Sequence, residues 1–69
     1  MKYFVSYSHS TEVPLSSGGV RIKSGNGMAE LILDSDITSY STLQDIVDHL
    51  ETKHGFDTVV IANYIKLGV

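Results

Sequence analysis

A chain of 69 residues, 42% apolar and 19% charged, has room for one hydrophobic core, which excludes both intrinsic disorder and the large α/β enzyme architectures. Five Lys and Arg against eight Asp and Glu leave a net charge of −3, opposite in sign to the footprint of a nucleic-acid binder, so nucleic acid is not an expected partner. The absence of cysteine excludes disulfides, thiolate zinc sites and cysteine nucleophiles.

The first segment, Lys2 to Ser8, reads KYFVSYS, a run of aromatic and β-branched residues suited to a pleated surface, and predicts a strand. From His9 to Gly19 the chain holds its one proline, Pro14, with Ser16, Ser17, Gly18 and Gly19, which predicts a loop. Asn26-Gly27 then separates VRIKS from MAELILD, and Asn-Gly is the strongest short-range signal for a type I′ hairpin turn. That register places Val20, Ile22, Leu31 and Leu33 on one face and Arg21, Lys23 and Glu30 on the other.

Leu43, Ile46, Val47 and Leu50 stand at i, i+3, i+4 and i+7, the stripe of an amphipathic helix. Ser41 and Gln44 have capping-box spacing, Lys53 and His54 suit the negative end of the macrodipole, and Gly55 suits the C′ position, with Phe56 following as a hydrophobic contact. Thr58 to Leu67, TVVIANYIKL, is apolar on both faces and predicts a buried strand.

These elements compose a single α+β domain over residues 1–69, in the order β-β-β-α-β. A four-stranded mixed sheet carries one helix on one face, with the last strand beside the first and a right-handed crossover into it. One helix leaves the second sheet face uncovered. A chain this short also buries only about 60% of its unfolded surface, so a homo-oligomer is expected. The longest apolar run, Val59 to Ala62, is too short to span a membrane, and the N-terminus lacks a signal-peptide pattern, which reads as a soluble cytoplasmic protein with no membrane partner.

Catalytic and metal signatures are missing. His49 and His54 are five residues apart, outside any H-E-x-x-H pattern, His9 stands alone, and no G-x-S-x-G elbow occurs. No cofactor is implied. The stretch Ser16 to Gly27 combines glycines with Arg21 and Lys23, as an anion site requires, but lacks GK[ST] and precedes a strand, so neither a P-loop nor a dinucleotide fingerprint applies. Asp34, Asp36, Asp45, Asp48 and Glu51 form an acidic band of the kind found on solvated helix faces.

The opening KYFVSYSH resembles the first conserved box of the TIR domain family. That fold, however, needs alternating strands and helices over about twice this length. Taken whole, the MKYFVSY opening, the Gly-rich hairpin, the Ile37-Thr38-Ser39 lead into one helix and the closing VVIANY strand resemble short accessory proteins of bacteriophages and prophages. The resemblance implies a non-enzymatic, stoichiometric binder in the host cell, acting in counter-defence, and no residue role is carried over from it. On that footing the residues suggest sequestration of a nucleotide-like ligand by a homo-oligomer, with Arg21 and Lys23 meeting phosphate and Tyr3, Tyr7 and Tyr64 offering rings to a base. The alternative is an inhibitor or adaptor of a host protein, with Asp45 and Asp48 on the helix as its interface.

Overall fold

The computed structural model describes residues 1–68. Strand β1 spans Lys2–Pro14, β2 spans Val20–Ile32, helix α1 spans Tyr40–His54 and β3 spans Thr58–Leu67. The sheet has three strands in the order β2-β1-β3, with both neighbours antiparallel to β1. The α+β class stands, and the four-stranded mixed sheet is corrected to three antiparallel strands in the order β-β-α-β.

The predicted hairpin at Asn26-Gly27 does not form. β2 runs straight through it, with Asn26 opposite Ser8 and Gly27 opposite Tyr7. The turn lies earlier, at Leu15–Gly19, where Gly18 and Gly19 adopt φ of 91° and 82° and Leu15 N–H donates to the Gly19 carbonyl at 3.1 Å. Only glycine enters that backbone region without strain. The predicted loop His9–Gly19 therefore shrinks, and β1 continues to Pro14. Without the Asn-Gly turn, even-numbered Ile22 and odd-numbered Leu31 fall on opposite faces of one strand, so the proposed common face of Val20, Ile22, Leu31 and Leu33 is also corrected.

Register assigns the faces, because directly opposed residues of an antiparallel pair point to the same side. Tyr3, Val5, Tyr7 and His9 of β1 share the helix side with Leu31, Ala29, Gly27 and Gly25 of β2 and with Tyr64, Ile61 and Val59 of β3. The register slips by one between Ser6 and Tyr7, leaving Ala62 as the extra residue of a β-bulge on β3. Ile46 and Leu50 of α1 close the core on Tyr7 and Val59.

The helix begins two residues earlier than the Ser41 capping-box spacing suggests. Ser39 is the N-cap, and its hydroxyl bonds those of Ser41 at 2.9 Å and Thr42 at 3.2 Å, so Ser41 lies inside the first turn. At the other end Gly55 takes φ 73°, donating to the Glu51 carbonyl at 2.8 Å, the left-handed ending expected of a C′ glycine. β3 has its predicted range but is an edge strand: Val59 is buried while Val60 and Ile65 are exposed, which corrects the strand buried on both faces.

β3 pairs with β1 only from Lys2 to Ser10. Beyond it, Thr11–Pro14 and Val20–Lys23 form a two-stranded arm that gives the molecule extents of 52 × 19 × 16 Å. The arm's root is tied where Asp57 Oδ2 accepts the Glu12 N–H at 2.7 Å and Asp57 N–H donates to the Ser10 carbonyl at 3.0 Å. No helix among the described residues is long and apolar enough to cross a membrane.

Candidate functional site

On the helix side, the backbone of α1 comes closest to β3, and its Ile46 and Leu50 share one core with Tyr7 and with Ala29 and Leu31 of β2. Two rings of β1 reach sideways from this core over β2. A Cβ at Gly27 would stand 2.6 Å from Tyr7 Cζ, and one at Gly25 would stand 3.1 Å from His9 Cε1, so each ring lies across the bare backbone of β2. The Gly25-Asn26-Gly27 triplet thus serves close approach rather than a turn, a known use of glycine inside sheets.

His9 then carries a second layer. Phe56, the residue after the helix cap, stacks on its imidazole with centroids 3.9 Å apart and planes 6° apart, and His54 stacks against Phe56 at 5.2 Å. Phe56 also meets Tyr7 at 6.4 Å, tilted by 51°. The αL turn at Gly55 sets this arrangement, since it reverses the chain so that His54 and Phe56 meet face to face.

Beyond this ring stack the same face continues onto the arm. Lys23 opposite Thr11 and Arg21 opposite Val13 are the next two positions of β2 on the helix side, both exposed, with neither α1 nor β3 above them. The result is a ledge: two cations on a β-ribbon floor, ending against a wall of three stacked rings. A ledge of this composition offers charge-assisted hydrogen bonds to an anion and, at the top of the stack, the exposed His54 ring to a planar group.

The proposed site residues therefore separate. Arg21 and Lys23 share the ledge. Tyr3 and Tyr7 are buried in the core, where their ring faces are already covered. The Tyr3 hydroxyl donates to Asp36 Oδ1 at 3.1 Å and accepts the Ile37 N–H at 3.2 Å. Tyr64 packs edge-on against Tyr3 with centroids 6.1 Å apart and sits opposite Val5. That is six residues, or roughly 20 Å, along β1 from the level of Lys23, so one small ligand does not touch both. Sequence reasoning missed His9, Phe56 and His54. The available signal was Phe56 directly after a C-capping glycine that ends in His54.

Asp36 lies at the far end of the sheet. Lys66 Nζ stands 2.9 Å from its Oδ1, and that contact, followed by the Tyr3 hydroxyl, holds the carboxyl below its ordinary value while Asp36 raises Lys66. Asp45 lines a groove of about 340 Å³ between α1 and the end of β2, with Asp34 and His49. Asp48 faces outward and accepts from Gln44 Nε2 at 3.0 Å. Among the described residues no group of His, Asp and Glu has the geometry to hold a metal ion.

Neither a family model, nor a curated protein, nor a solved structure matches this chain.

Proposed function

We propose that this chain is a non-enzymatic accessory protein of the bacteriophage type, which binds and sequesters a nucleotide-like signalling ligand as a homo-oligomer in the host cytoplasm. The observation that carries this reading is the ledge. Arg21 and Lys23 stand on the sheet face that ends in the His9–Phe56–His54 stack, so phosphate charge and a base plane find complementary groups on one surface. The ring face belongs to exposed His54, the outer layer of the stack that Phe56 and His9 support, in place of the tyrosines.

Thermal unfolding in the presence of a panel of linear and cyclic nucleotides tests it. A ligand at ~100 times its dissociation constant adds ~2.7 kcal/mol, a large increment for so small a domain. The expected result is a raised Tm that Lys23→Ala, Arg21→Ala and Phe56→Leu each diminish. A panel in which no nucleotide moves Tm overturns the reading.

The groove beside Asp34 and Asp45, next to the unpaired edge of β2, favours the second reading, an inhibitor or adaptor of a host protein. An acidic rim would steer a basic partner and the strand edge would pair with it. Charge reversal at Asp45 and Asp48 must then abolish capture of that partner in a pull-down, and a complex that survives it excludes the helix face.

A further inference from the structure

The sheet face opposite the helix is bare. Phe4 is half-buried there, while Met28, Ile32, Val60 and Ile65 are 70%, 80%, 58% and 54% exposed, and Ile22 and Val20 continue the face onto the arm at 58% and 54%. The chain exposes 4918 Å², whereas a compact monomer of 7.5 kDa exposes about 4,250 Å². Its radius of gyration is 14.2 Å, against about 11 Å for a compact chain of this length. The excess area is of the order of the roughly 800 Å² that each partner contributes to a stable interface.

The pattern along this face is its own complement. Its middle rows are small and polar, Ser8 with Asn26 and Ser10 with Ser24, lining a hollow of about 360 Å³ with Thr58 and Val60. Moving outward from that centre, the row of Ser6 and Met28 on one side is matched by the row of Glu12 and Ile22 on the other, and Phe4 with Glu30 is matched by Pro14 with Val20.

We infer that a second copy of this chain covers the open face, related by a two-fold axis that crosses the strands at the polar rows. Each arm then lies on the body of its partner. Met28 meets Ile22, Phe4 meets Pro14, and Asn26 and Ser8 meet Ser24 and Ser10, whose hydroxyl and amide groups serve as donors and acceptors to one another. A two-fold axis running along the strands would instead set Glu12 against Glu12, a like-charge contact in an interface core. The two sheets form a sandwich with both helices outside, and the two-stranded arm, marginal by itself in water, gains a packed face. Both ledges remain accessible, so the dimer forms with or without a ligand.

Light scattering behind size exclusion tests it without ligand. The expected mass is twice 7.5 kDa. Met28→Lys and Ile22→Lys are each expected to give a monomer whose helical circular dichroism is unchanged, since both side chains are exposed in the single chain. An Ile22→Cys/Met28→Cys double variant is expected to form covalent dimers on oxidation. The two positions are six residues, or about 20 Å, apart on one strand, beyond the reach of a disulfide within a chain. A monomeric wild type, a dimer that neither lysine variant weakens, or a dimer whose double-cysteine variant stays uncross-linked overturns the arrangement.

Discussion

The ring of Tyr7 lies flat across Gly27 of the neighbouring strand, so close that a methyl group there would stand 2.6 Å from Tyr7 Cζ. This one contact explains why a glycine sits inside a 13-residue strand and how the ring extends over β2 while it shares a core with Ile46 and Leu50. It also reverses the usual effect of a substitution.

In an ordinary strand interior, replacing glycine by alanine removes backbone entropy from the unfolded chain and stabilises by ~0.5–1 kcal/mol. Gly27→Ala is expected to destabilise instead, by about 1–3 kcal/mol, because Tyr7 must leave its place in a packed core. Urea denaturation measures it. A stabilised Gly27→Ala variant would show that the ring does not occupy that position, and pairing the change with Tyr7→Leu should recover part of the loss.

Gly55 presents the opposite case. Nothing lies within 4 Å of a Cβ built on it, yet its φ is +73°, so the cost of a side chain is conformational. Gly55→Ala should cost ~1–2 kcal/mol, roughly 4–8 °C of Tm per kcal/mol for a domain of this size. Gly55→Asn should cost less, since Asn tolerates the left-handed region. Equal losses for the two variants would exclude a backbone origin.

The Asp36 carboxyl is held below its ordinary value by Lys66 first and then by the Tyr3 hydroxyl. A folded-state value that is depressed contributes stability fully present above the unfolded value and lost as pH falls through the folded one. Tm is therefore expected to decline on acidification below the ordinary aspartate range, and Asp36→Asn should flatten that limb. The group is exposed, so the effect is small. Tyr3→Phe should flatten it less than Lys66→Met, in keeping with the order of the two causes.

At the root of the arm, Asp57 Oδ2 accepts the Glu12 N–H at 2.7 Å on the side of β1 where β3 has not yet begun. Asp57→Ala should accelerate amide hydrogen exchange at Glu12 while leaving exchange at Val5 and Tyr7 unchanged, because the arm opens locally. Asp57→Asn, which keeps an acceptor oxygen, should retain most of the protection. Uniform acceleration over the whole sheet would contradict a local role.

The elements written in short-range pattern were legible from residues alone. The Leu43, Ile46, Val47, Leu50 stripe identifies the helix, Gly55 marks its end, and Thr58 to Leu67 delimits β3. Arg21 and Lys23 were legible as neighbouring exposed cations because they share a face of one strand. Their ring partners were not, since His9 and Phe56 lie 47 positions apart in sequence and meet only when β1, the helix cap and the sheet are assembled.

Gly27 marks the division most clearly. A missing Cβ serves two unrelated ends, access to positive φ in a turn and close approach in a strand, and the dipeptide Asn26-Gly27 is compatible with both. Sequence alone determined that a residue without a side chain was needed at that point. Which need it met was decided by tertiary structure. Tyr7 packs in one core with Ile46 and Leu50 of the helix, and the extended backbone of Gly27 lets its ring lie across β2.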